Sequence, residues 1–129
     1  MNIFEHKEFE TLVADALVRL PERIRKHIKN VAFCIEDKAT DEQLHLGGVG
    51  RGSALLGLYE GVPQNVWGRD EVARPPDKIT IFRAPILAQA QTPEDIVTLV
   101  KEVVWHEVAH YFGFDEHGAR RLDAKRKKK

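Results

Sequence analysis

Trp105-His106-Glu107-Val108-Ala109-His110-Tyr111-Phe112-Gly113-Phe114-Asp115-Glu116-His117 is the stretch on which the reading of this chain turns. It contains H-E-x-x-H, two histidines four residues apart with a glutamate directly after the first. Four residues advance a helix by just over one turn, so His106 and His110 share one face. Two imidazoles at that spacing can both reach one Zn²⁺ at roughly 2.0–2.1 Å. Glu107 lies about a quarter turn round and is placed to accept a proton from a water that the metal activates. Gly113, three residues after His110, stands where the helix can end in the left-handed conformation. Three further ligand-type side chains, Asp115, Glu116 and His117, follow at once.

The apolar positions leading into the motif have helical spacing: Ile96, Leu99, Val100, Val103 and Val104. Thr92-Pro93-Glu94-Asp95 opens that helix, with threonine as N-cap, proline at the first position and two acids in the first turn. Val103, Val104, Val108 and Phe112 read as core. The metal helix therefore starts at Thr92 and stops near Gly113.

The whole pattern, H-E-x-x-H-x-x-G followed by a ligand, resembles the zincins, in which the chain turns at the glycine and returns a third ligand to the metal. More closely, the chain resembles the mini-zincins, small single-domain bacterial proteins described as zinc metallopeptidases. Their motif reads H-E-x-x-H-x-x-G-x-x-D. The likeness extends to Leu55-Leu56-Gly57-Leu58-Tyr59-Glu60-Gly61-Val62-Pro63 and Pro76-Asp77-Lys78-Ile79-Thr80-Ile81-Phe82-Arg83. The resemblance implies a minimal zincin fold, a bound Zn²⁺, hydrolysis of peptide bonds and Glu107 as general base. It places the third ligand at Glu116, where the family has aspartate, with His117 and Asp115 flanking it as alternatives.

The 129 residues suit one domain with a single core, spanning 1–129. Hydrophobic content of 43% and charged content of 31% describe a soluble globular protein. No apolar run reaches the ~18 residues of a membrane span. The first residues lack the basic-then-apolar order of a signal peptide. Cys34, the one cysteine, excludes an internal disulfide and suits a reducing cytoplasm, and reads as a small buried hydrophobe. The expected location is cytoplasmic. Net charge is zero, yet residues Ala119 to Lys129 carry seven Lys/Arg and one Asp. That basic tail, which can form a last helix, is expected to be solvated, with nucleic-acid contact as its alternative role.

Elsewhere, Phe9, Leu12, Val13, Ala16, Leu17 and Leu20 predict an amphipathic helix over 5–20. Pro21 ends that helix or begins a short second one through Ile24 and Ile28, and Asn30 marks a break. Val31–Ile35 reads as a strand, and Ala54–Glu60 as a second. Residues 38–53, polar and glycine-rich, read as a mobile loop holding His45. They lack the Lys-Ser/Thr of a phosphate cradle. Residues 61–77, with three prolines, form a long connection of the kind that is more often functional, anchored by Trp67. Lys78–Arg83 alternates and predicts a half-buried strand, with Ile79, Ile81 and Arg83 on one side. Pro85–Gln91 is a short helix.

The order helix, strand, strand, strand, metal helix, helix predicts an α+β (mixed α/β) fold. A sheet of three to four strands packs on the N-terminal helix and the metal helix. Zincins bind a peptide along the edge strand above the metal, which here implies Ile79–Arg83 and makes Ile79, Ile81, Arg83 and Tyr59 the candidate substrate contacts. Tyr59, Tyr111 and Arg83 are candidates to stabilise an oxyanion. Two competing functions are a metal-dependent endoribonuclease and a non-catalytic metal-binding scaffold. Residues 113–117 are similar to the H-x-x-x-H-x-x-G-x-D-H motif of rRNA-maturation enzymes, and the tail would suit RNA. That family lacks the glutamate after the first histidine and sets its third histidine one place before His117, so both departures favour the peptidase.

Overall fold

The computed structural model describes residues 6–48, 54–61 and 77–113. Along the chain these form α1 (His6–Val18), α2 (Glu22–Arg25), β1 (Val31–Glu36), α3 (Asp41–Leu46), β2 (Gly57–Glu60), β3 (Asp77–Phe82), α4 (Arg83–Gln89) and α5 (Pro93–Tyr111). Helices and a small mixed sheet give the expected α+β class. The connection around Trp67, the basic tail and Asp115, Glu116 and His117 lie outside the described residues.

Helix α1 buries Phe9, Val13 and Ala16, one residue per turn, with Leu20 just beyond. Asn30 has φ +57° and turns the chain into β1, as its place in the sequence predicts. Helix α5 begins where the sequence places it. The Thr92 hydroxyl accepts from Asp95 N–H, and the Asp95 side chain accepts from Thr92 N–H, closing a reciprocal cap. From there Ile96, Val100, Val103, Val104, Val108 and Tyr111 form its buried stripe. Each buried aliphatic side chain contributes about 1.5–3 kcal/mol against exposure. Helix α5 lies against β2 and β3, and α1 packs on α5. Ile79 and Ile81 join Phe9 and Val104 in one apolar cluster.

Among the described residues the sheet has the order β1-β3-β2, with β3 parallel to β1 and antiparallel to β2. This corrects the expectation that Ile79–Arg83 is the edge. Strand β3 is central, hydrogen-bonded on both sides, and Ile79 and Ile81 are fully buried. They are core residues rather than substrate contacts. Thr80 and Phe82 are equally buried, so β3 is covered on both faces and not half-buried. The alternation of its sequence misleads because one threonine supplies the polar beat, and threonine fits a buried strand well by shape.

Two further corrections concern local elements. Residues 41–46 form α3 rather than loop. Thr40 and Gln43 make a second reciprocal cap: the Thr40 hydroxyl accepts from Gln43 N–H, and Gln43 Oε1 accepts from Thr40 N–H. Helix α4 starts two residues earlier than expected, with Pro85 in its first turn, where its missing N–H costs nothing.

The Thr80 hydroxyl is buried and has no hydrogen-bond partner among the described residues. Such a group carries its desolvation cost uncompensated. Thr80→Val should therefore leave the fold intact and raise stability by roughly 1 kcal/mol, read as the midpoint of urea unfolding. A clear loss of stability would show that the hydroxyl is satisfied in solution.

Candidate metal site and cleft

The last two turns of α5 carry the motif. Val104, Val108 and Tyr111 face the core, while His106 and His110 are half-buried on the side that borders a cleft. Their Nε2 atoms lie 3.3 Å apart, with ring centroids 4.9 Å apart and planes inclined at 75°. Two nitrogens bound to one tetrahedral Zn²⁺ at about 2.0–2.1 Å must lie roughly 3.3–3.4 Å from each other. The pair as folded therefore already has the separation that two tetrahedral ligands need. Among the described residues no group of three His, Cys, Asp or Glu side chains comes together to hold a metal. The candidates for a third ligand, Glu116, His117 and Asp115, fall beyond Gly113.

Gly113 itself behaves as expected. Its φ is +97°, and its N–H donates to His110 C=O at 2.9 Å. The Phe112 N–H still reaches Val108 C=O. The helix thus ends within one turn of the second histidine.

Glu107 is only 6% exposed. It sits where α5 passes beneath β2, next to Gly57. A Cβ built on Gly57 would lie 2.6 Å from Val103 Cγ1, 3.0 Å from Glu107 Cγ and 3.3 Å from Glu107 Oε2. The strand backbone therefore lies directly against the glutamate, at a distance only glycine permits. The sequence does signal this, since a lone glycine inside a strand pattern marks a close backbone approach. Glycine's part in the site is nonetheless absent from the motif itself, because Gly57 stands fifty residues earlier in the chain.

The cleft has a volume of about 600 Å³ and runs between β2, the end of α3 and α5. Gly57, Leu58 and Tyr59 form one wall, and His106, Glu107 and His110 another. Leu46, Leu55 and Leu99 extend it away from the histidines.

The sequence-based contacts divide here. Tyr59 does line the cleft, but its hydroxyl donates to Asp77 Oδ2 at 2.8 Å and its ring packs edge-on against Tyr111. Tyr111 is fully buried. Its oxygen accepts from Lys29 N–H at 3.0 Å and donates to Lys29 C=O at 3.1 Å. It ties α5 to the chain ahead of β1 and cannot serve an oxyanion. Arg83 pairs with Asp37 at 3.5 Å and does not border the cleft, which removes it from both candidate roles. His45 is exposed on α3 and also stands outside the cleft lining.

A helix-borne H-E-x-x-H whose two histidines border a cleft is the pattern of the zincins. The chain belongs to the zincin-like metallopeptidase family, whose model matches residues 28–126. Its fold is similar to that of a conserved hypothetical protein from T. thermophilus, with a TM-score of 0.55 and 20% sequence identity. The match covers 94% of this chain and 99% of that one. No curated protein matches the chain.

The contact at Gly57 gives a direct expectation. Gly57→Ala must displace either Val103 or the Glu107 side chain, and forced overpacking of this kind costs about 1–3 kcal/mol. Thermal unfolding should show that loss. An alanine variant as stable as the parent would mean that β2 and α5 are less tightly apposed than described.

Proposed function

We propose that the protein is a zinc-dependent metallopeptidase in which His106 and His110 hold the metal and Glu107 is the general base. The observation that carries this reading is the 3.3 Å Nε2–Nε2 separation beside a cleft that the Glu107 side chain also borders. When bound, Zn²⁺ would supply Lewis acidity, polarising the peptide carbonyl and bringing the pKa of water near 7.

The remaining chemistry belongs to the chain. Glu107 takes one proton from the attacking water as its oxygen bonds to the carbonyl carbon. It then passes that proton to the amine nitrogen as the C–N bond breaks. Burial beneath β2 limits the positions its carboxylate can adopt, which favours this repeated transfer. The substrate would lie along β2, which lines the cleft and has β3 as its one strand partner among the described residues. Main-chain pairing to that strand would hold an extended peptide across the histidines.

The endoribonuclease alternative rests on residues 113–117 and the basic tail, and the glutamate after the first histidine weighs against it. A scaffold without a cleft fits poorly with the 600 Å³ space beside the histidines. No helix among the described residues is long and apolar enough to cross a membrane.

Two experiments test the assignment. Freshly purified protein should bind close to one zinc per chain, and His106→Ala or His110→Ala should abolish it. Glu107→Gln should keep the zinc while hydrolysis falls by about 10²–10⁴-fold. Wild-type cleavage in that variant, or full zinc content in the double alanine variant, would sink the mechanism or the site respectively.

For the third ligand we favour Glu116, three residues beyond Gly113 as in the family pattern, over His117 and Asp115. Glu116→Ala should therefore weaken zinc binding more than His117→Ala. Parallel zinc titrations decide between them, and the reverse order would give the site to His117 and strengthen the nuclease-like alternative.

A further inference from the structure

Outside the apolar core the described residues expose two large hydrophobic side chains, Val18 and Leu46, at 63% and 56%. Val18 ends α1 away from the cleft. Leu46 ends α3 and lines the cleft. Leu55 lines it too, without belonging to the core cluster, and packs on the backbone beside Leu46: its methyl carbons lie 3.0 Å from where a Cβ on Gly47 would sit. Leu99 of α5 lines the same cleft, seven residues before His106 and so two turns along the same helix. At 1.5 Å rise per residue that places Leu99 roughly 10 Å from His106 along the helix axis. An extended peptide advances about 3.3–3.6 Å per residue, so a patch at that range meets a side chain within two or three residues of the reacting carbonyl.

We propose that this patch is a specificity pocket, and that the enzyme selects peptides carrying a large apolar side chain, leucine or phenylalanine in type, close to the scissile bond. The proposal rests on the peptidase reading of the same cleft. Neither Leu46 nor Leu55 serves the core, so their apolar surface stays available to a ligand. Both are continuous with the wall that holds His106 and Glu107. Glu102, one turn before His106, lies in the same lining. A pocket of this kind discriminates by contact area, which sets the scale at roughly tenfold or more between leucine and alanine.

The test uses capped Ala/Ser peptides in which one position carries Leu, Phe, Ala or Asp. Cleavage by the zinc-loaded wild-type protein is mapped by mass spectrometry. Binding of the same peptides to zinc-loaded Glu107→Gln protein is followed by NMR. Leu and Phe peptides should be cleaved and bound at least about tenfold better than Ala, and Asp least well. Leu46→Asp should erase that preference, while the equally exposed Val18→Asp should not. Cleavage or binding without any apolar preference overturns the pocket and leaves the peptidase standing. Binding that keeps the Leu46-dependent preference without cleavage supports the pocket and overturns the peptidase. Neither cleavage nor binding of any peptide overturns both.

Discussion

The structure depends on one close contact, the seating of α5 against the backbone of β2 at Gly57. At that crossing Val103 and Glu107 occupy the space a side chain would need. The approach does two things together. It brings the buried stripe of α5 down onto Ile79 and Ile81 of β3, where the core is formed. It also encloses the carboxylate of Glu107 while the histidines beside it stay half open to the cleft. Packing and chemistry thus share one glycine, and loosening the crossing would disturb both.

Around that contact the remaining elements act as fixtures. The reciprocal cap at Thr92 sets where α5 begins, and Gly113 sets where it ends. Tyr111, the residue after the second histidine, locks the last turn to the backbone of Lys29 with hydrogen bonds in both directions. Tyr59 is held by Asp77 and by the Tyr111 ring, so the strand that forms the cleft wall is tied to the same tyrosine. The result is a helix fixed in register along its axis and in rotation about it. A two-imidazole site requires this, because a small rotation of the helix moves both nitrogens off a shared centre.

Much of this was legible in the sequence where the signal is local. The cap at Thr92, the break at Asn30, the stop at Gly113 and the shared face of His106 and His110 follow from side-chain chemistry and helical spacing alone. The misreadings came where a local pattern competes with tertiary context. Thr80 suggested a solvent-facing beat in β3, yet the strand is central and its hydroxyl is buried. The glycines after Leu46 made residues 38–53 read as loop and hid the Thr40–Gln43 cap, a signature as clear as the one at Thr92. Arg83 followed the alternation of β3 on paper but belongs to α4 and pairs with Asp37. Gly57 inside a strand pattern marked a close approach, but not to what, because its partner, Glu107, is distant along the chain.

The parallel pairing of β1 with β3 gives the site a temporal order as well as a spatial one. Val31 aligns with Asp77, so this ladder closes only after a long intervening segment has been gathered in. Contacts of such separation carry a large loop-closure entropy and form slowly, whereas a helix forms in well under a millisecond. His106 and His110, four residues apart on one helix, need none of that closure to meet. The seat of Glu107 needs a closure of its own, because Gly57 of β2 stands fifty residues before it and β2 is held in the sheet by its ladder with β3. The paired imidazoles are thus a property of a helix, while the enclosed carboxylate beside them is a property of the finished sheet.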